Sequence, residues 1–236
     1  MTAKEQIFGS LSSVPAFVRK VGAVWVVVLL LYIVSGLISP GMFQFGQVIN
    51  ILQVAAFLGV VATGQTLVVL TGGIDLSVAG VVTMANIVST SIMAGQVGNT
   101  LMAMIVCLLI AAAVGLVNGL MITAIRVTPL VATLGMNSIL FGAALVYTRG
   151  APHGGISPEF AVFGQGHLVI LPVSAICWLT IAFTMAWLMR RTIFGRQLYA
   201  VGANPTAARA IGIPVARTVI VGYILSSILA MLGAFC

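Results

Sequence analysis

Charge is what this sequence has least of. Only 3 of its 236 residues are acidic and 10 are Lys or Arg, so charged residues make up 6% of the chain, against roughly 25% in an ordinary soluble domain. A water-soluble globule of this length needs a far more polar surface, and a mean hydropathy of +1.23 excludes one on the same ground. Cysteine is also sparse. Cys107, Cys177 and Cys236 form no CxxC pair and no cluster with His153 or His167, so neither a disulfide framework nor a metal site is expected. The sequence lacks GxxxxGK[ST], HExxH and GxSxG, and no second intramembrane carboxylate exists to pair with Asp75. No catalytic residue or cofactor is expected, and any ATP used must be bound by another polypeptide.

Long apolar text fills the space that charge leaves. Stretches without Asp, Glu, Lys or Arg cover 21–74, 76–125, 127–148, 160–189 and 218–236. A bilayer core takes about 20 helical residues to cross, so the first two stretches are each too long for one span. Turn formers break them at Ser39-Pro40-Gly41, Thr71-Gly72-Gly73, 95–100 and Arg126-Val127-Thr128-Pro129. The expected helices are therefore 21–39, 51–70, 77–94, 101–125, 129–147, 168–189 and 218–236. The residues do not alternate apolar and polar as barrel strands would. The fold class expected is all-α: a polytopic transmembrane bundle of about seven spans with glycine- and proline-broken helices. The first apolar run is too long for a signal-peptide core and has no cleavage site after it, giving a cytoplasmic segment 1–20 and one transmembrane domain, 21–236.

The basic residues set an orientation. With the amino terminus inside, Lys4, Arg19, Lys20, Arg126, Arg190, Arg191, Arg196, Arg209 and Arg217 fall on the cytoplasmic side and only Arg149 falls outside. The net charge of +7 thus reports topology and carries no implication of nucleic-acid binding, which needs a basic face on a water-soluble unit.

Three segments say more than "membrane". In Thr71-Gly72-Gly73-Ile74-Asp75-Leu76-Ser77, paired glycines end one helix and Asp75 is the sole ionisable group between 21 and 125. Two readings stand side by side: Asp75 caps the next helix through the amides of Ser77 and Val78, or it touches a solute path. The cytoplasmic loop 190–217 is punctuated as one short helix, with Asn204 as N-cap, Pro205 at the first position, Thr206 to Ile211 as body, Gly212 at the C-terminal turn and Pro214 as a stop. So short a helix must pack on something. It either docks on its own spans or meets a cytosolic partner, with Ala207, Ala208 and Ala210 as an exposed contact face and Arg196, Arg209 and Arg217 as charges. The third segment leads from Arg126 into a span carrying Thr133, Gly135, Asn137, Ser138 and Gly142. With Gln53, Gln65, Asn86 and Asn118 these are helix–helix glue or contacts to a polyhydroxylated solute.

The strings TGGIDLSV at 71–78, VTPLVATLG at 127–135 and FGRQLYAVGANPTAARAIGI at 194–213 resemble the inner-membrane permease subunits of bacterial ABC importers for ribose, xylose, arabinose, galactose and related monosaccharides. The resemblance implies a non-enzymatic subunit of the inner membrane. It pairs with a second permease copy, receives solute from a periplasmic binding protein and is driven by cytosolic ATPase subunits. The loop around Asn204–Gly212 is similar to the coupling helix that rests on the ATPase, which would give Arg196, Asn204, Pro205, Ala207, Ala208, Arg209 and Gly212 that role. Gly72, Gly73, Asp75, Ser77, Asn86, Thr133 and Asn137 become candidates for the solute path or its helix break. Arg149 and Glu159 are candidates for docking the binding protein. Two departures are visible. Thr206 stands where many ABC importers have an acidic residue, and the apolar run stopping at Cys236 leads us to expect a C-terminally truncated permease. The competing class is an ion-coupled secondary transporter or channel using Asp75; an intramembrane enzyme lacks a nucleophile–base pair.

Overall fold

The computed structural model describes residues 16–168 and 170–236. Lys4 and most of the expected segment 1–20 lie outside them. The described chain is helical apart from one very small hairpin, in keeping with the all-α expectation. It divides into two units, residues 1–51 and 52–236.

In the first unit, α1 (Ala16–Ile38) ends at the expected Ser39-Pro40-Gly41 break. Pro40 opens a 3-10 turn, Pro40–Phe43. Proline tolerates that place because its missing N–H would have no partner there. The turn is pinned by the Tyr32 hydroxyl, which donates to the Met42 carbonyl at 3.1 Å, and by edge-to-face contact of Tyr32 with Phe43.

The long helix α2 (Phe45–Leu70) leads through the second unit to the glycine break. There follow α3 (Val78–Met93), α4 (Thr100–Thr123), α5 (Pro129–Thr148) and a short helix α6 (Pro158–Gln165). A hairpin of β1 (His167–Leu168) and β2 (Leu171–Pro172) precedes α7 (Val173–Arg191), α8 (Ile193–Ala203), α9 (Pro205–Ala210) and α10 (Val215–Ala234). Among the described residues five helices, α2, α4, α5, α7 and α10, are long and apolar enough to cross a membrane. Val24–Ile38 and Val78–Met93 are shorter apolar helices.

The core is built round α10. Half of its most apolar stretch is buried, against 11% to 28% in the other four long helices. In lipid the apolar effect does not pull helices together, so small residues and close backbone approach must do it. That is how α4 meets α10: a Cβ on Gly115 would lie 2.5 Å from the Ile224 Cα, and one on Gly119 would lie 2.8 Å from the Ile220 Cα. The α3–α4 side is filled by Val81, Ala85, Val88, Ala103, Cys107 and Ala111, closed at the end by Phe160 against Phe235.

Several elements differ from expectation: α2 starts at Phe45 and not at 51, and neither α6 nor the hairpin was expected. The span expected from 168 starts at Val173, because His167–Leu168 folds back on Leu171–Pro172 and Pro172 stands at the N-cap of α7. The loop 190–217 contains two helices rather than one. Between α5 and α7, His153 and His167 are exposed, and no cluster of metal-ligating side chains occurs among the described residues.

Candidate functional site

The glycine break is a hub on which five helices converge. Gly72 (φ +79°) ends α2 in a left-handed turn in which the Gly73 amide donates to the Val68 carbonyl at 3.1 Å and the Gly72 amide to Val69 at 2.9 Å. A side chain at Gly72 would be strained by that φ even though the space around it is open. The chain then runs extended to Ser77, the N-cap of α3. Asp75 is 2% exposed. Its Oδ1 accepts from the Ser77 amide (3.0 Å) and hydroxyl (2.6 Å), and its Oδ2 accepts from the Ser226 hydroxyl of α10 (3.3 Å). Asn118 of α4 donates to the Ser77 hydroxyl at 2.9 Å, and Gln65 of α2 donates to the Asp75 carbonyl. The Ile74 carbonyl accepts from the Tyr223 hydroxyl of α10 (3.3 Å) and from Thr133 of α5 (3.4 Å).

A carboxylate buried in a low-dielectric interior must be paired or hydrogen-bonded. Asp75 meets that need with three hydrogen bonds from hydroxyl and amide donors. Of the capping bonds expected, the one from Ser77 is present. Ser226 lies eleven residues into α10, about 16 Å at 1.5 Å per residue, so the hub sits near the middle of that helix.

The other expected path residues divide. Thr133 is fully buried, and its hydroxyl also donates to Pro129 at 2.8 Å within its own helix. Asn137 accepts from the Gly80 amide at 2.8 Å, supplying a partner to a first-turn N–H of α3 that has none inside the helix. Asn86 is not part of the hub: it is exposed on α3 and lines a small cavity of about 120 Å³ with Thr90 and Gln165. A larger groove of about 490 Å³ lies between α2 and α3, walled by Phe57, Val61, Val78, Val82 and Thr83, with Asp75 at its edge.

The loop 190–217 is a built element. Thr192 caps α8 by accepting from the Gly195 amide at 3.3 Å. Asn204 ends α8 and caps α9, its Oδ1 accepting from the amides of Thr206 and Ala207, both at 3.0 Å, with Pro205 at the first position. Gly212 (φ +84°) closes the turn. Arg196, Arg209 and Arg217 are exposed, as are Ala207 and Ala210. Ala208 is not: it is 2% exposed, packed in one cluster with Val68, Val201, Val219 and Tyr223. The expectation of an exposed Ala208 fails because a two-turn helix has to bury one side to persist at all, and Ala208 is that side.

The loop also touches the hub. Gly202 lies against the Leu70 carbonyl, closer than a Cβ could fit, and Leu198 reaches toward Gly222 beside Thr71. Sequence reading missed Tyr223 and Ser226. Their signal was the run Gly222, Tyr223, Ser226, Ser227, Ala230, which at helical spacing puts small and polar residues on one face of an otherwise apolar span.

A family model described as "Branched-chain amino acid transport system / permease component" matches residues 47–236. Among curated proteins, the ribose import permease protein RbsC of Escherichia coli K12 is 37% identical over 88% of this chain and 66% of its own length. The corresponding Bacillus subtilis protein is 35% identical over 86% of this chain and 64% of its own length. The galactose/methyl galactoside import permease protein MglC of Haemophilus influenzae is 30% identical over 91% and 69%. The chain thus spans about two thirds of the length of the relatives it matches. No solved structure matches it. Its matched segment carries the helices of the hub and both helices of the loop 190–217, and the chain belongs to this family of transport-system permease components.

Proposed function

We propose that this chain is the transmembrane permease subunit of an ATP-binding-cassette importer. It moves a monosaccharide or similar polyhydroxylated solute across the bacterial inner membrane and does no chemistry itself; separate ATPase subunits hydrolyse the ATP. The reading includes seven spans with the amino terminus cytoplasmic, a second permease copy, a cytosolic ATPase and a periplasmic solute-binding protein. Kinship to ribose and galactose import permeases supports the solute class.

The single observation that carries the mechanism is the α8–α9 element. A capped short helix presents Ala207, Ala210 and Arg209 outward while its other side is packed against the end of α2 and against α10. A helix that only decorated the surface would not need such footing. Here an ATPase pushing on α9 pushes on the glycine hub. The hub residues Gly72, Gly73, Asp75, Ser77, Thr133 and Asn137 then act as the internal joint of the importer. Asn86 and Thr83, on the side of α3 away from the core, are the candidates for contact with solute. Asp75, occupied by its own hydrogen bonds, has a structural part in this scheme and no need of a transported ion.

The test is uptake of labelled ribose and galactose by vesicles containing the full chain, its ATPase and its binding protein. ATP-dependent uptake is expected, with none from a proton or sodium gradient. Gradient-driven uptake without the ATPase would overturn the reading.

A further inference from the structure

The hub and the cytoplasmic loop share one side chain. Tyr223, 1% exposed, lies in α10 with its ring in the cluster that contains Val201 of α8 and Ala208 of α9. Its hydroxyl leaves that cluster and donates to the Ile74 carbonyl inside the break. Gly73 makes this reach possible, since a Cβ there would stand 2.5 Å from the Tyr223 oxygen. On the other side of Gly72, the backbone of Gly202 in α8 presses on the Leu70 carbonyl. The chain is therefore gripped immediately before and immediately after Gly72, both times by groups tied to α8–α9, while Gly72 itself has no neighbour within 4 Å of a would-be side chain.

We propose that Tyr223 is the positioning residue that ties α8–α9 to the break, so that displacement of α8–α9 bends the chain at Gly72. This rests on the importer reading above. The ring moves with the cluster beneath α9, and the hydroxyl carries that movement to Ile74, two residues beyond the glycine. Leu70, held by Gly202, moves with α8 by a different lever arm. The difference between the two displacements has to be taken up at Gly72, the only residue between them with left-handed φ and free space.

The variant that isolates this role is Tyr223→Phe, which keeps the ring in its cluster and removes only the oxygen. Ile74 retains Thr133 as donor, so the fold keeps its contacts. Thr133→Val is the control: it removes the other donor to the same carbonyl without touching the cluster under α9. Both are measured in the full chain assembled with ATPase and binding protein, reading solute taken up per ATP hydrolysed. Tyr223→Phe is expected to lower that ratio about five-fold or more with hydrolysis within about two-fold of the parent, and Thr133→Val, which loosens the joint but leaves its tie to α8–α9 whole, to lower it by less than about two-fold. An unchanged ratio in Tyr223→Phe, or an equal fall in both variants, overturns the assignment. Absence of ATP-driven uptake in the parent protein would instead remove the importer reading itself, and Tyr223 with it.

Discussion

Replacing Asp75 in two ways separates its charge from its hydrogen bonds. In Asp75→Ala, the Ser77 amide and two buried hydroxyls lose their acceptor. The Ser226 hydroxyl can turn back to a carbonyl of its own helix, as serines within helices do, which removes part of the loss. The Ser77 amide has no such alternative, and the Ser77 hydroxyl is held by the Asn118 amide that donates to it. At about 1–3 kcal/mol for each of these two buried groups left unsatisfied, the cost is about 2–6 kcal/mol. Asp75→Asn behaves differently. Its carbonyl oxygen accepts both Ser77 bonds as before, and its NH2 donates to the Ser226 oxygen, which can accept as well as donate. The number of bonds is unchanged, so the cost is expected to be within about 1 kcal/mol. Reversible unfolding in mixed detergent micelles measures both. Equal destabilisation by the two variants would mean that the charge and not the bond count holds the hub, and a neutral Asp75→Ala would mean that nothing there depends on the carboxylate. Asp75→Asn should also keep ATP-driven uptake, which an ion-coupling carboxylate would not survive.

Other outcomes follow from the same contacts. Gly115→Ala places a Cβ against the Ile224 and Tyr223 backbone, neither of which can step aside, so unfolding in micelles should become easier by about 1–3 kcal/mol; Gly135→Ala, with open space around it, should be neutral or slightly stabilising. Asn204→Ala removes the cap from two amides of α9 and should cost about 1 kcal/mol locally, seen as faster hydrogen exchange at Thr206 and Ala207, with Asn204→Asp restoring protection. Ala207→Trp, on the exposed side of α9, should leave thermal stability unchanged and abolish ATP-driven uptake, whereas Ala208→Trp should fail to fold the loop at all, as shown by rapid proteolysis between 190 and 217.

The spans were legible because lipid imposes a simple code: apolar length, interrupted where turn residues stand. Expected and observed ends of α3, α4 and α5 agree within two residues, and Pro129, Gly72 and Asn204 all act at the places their chemistry fits. What stayed hidden was sidedness. Ala208 could not be told from Ala207 in a helix too short to show a period. Likewise Asn86 and Thr133 look alike as polar residues in apolar text, yet one is exposed and the other buried in the hub. Whether a polar residue in a span serves as glue or lines a path depends on which neighbour faces it, and that is fixed by contacts such as Asp75 to Ser226, 151 residues apart. The α6 helix and the small hairpin were missed because an eight-residue and a two-residue element leave no periodic trace.

That sequence distance also sets an order of manufacture. The helix that organises the core, α10, emerges from the ribosome after every helix it holds together. At about 5–20 residues per second, Asp75 waits roughly 8 to 30 s in the nascent chain before Ser226 is synthesised, and Asn118 roughly 5 to 21 s before Tyr223. During that interval the carboxylate has only Ser77 beside it and the seat that Gly115 and Gly119 leave for α10 is empty. Until α10 arrives, α2 to α5 stand without the helix that completes their hub, which closes when Tyr223 and Ser226 reach the break.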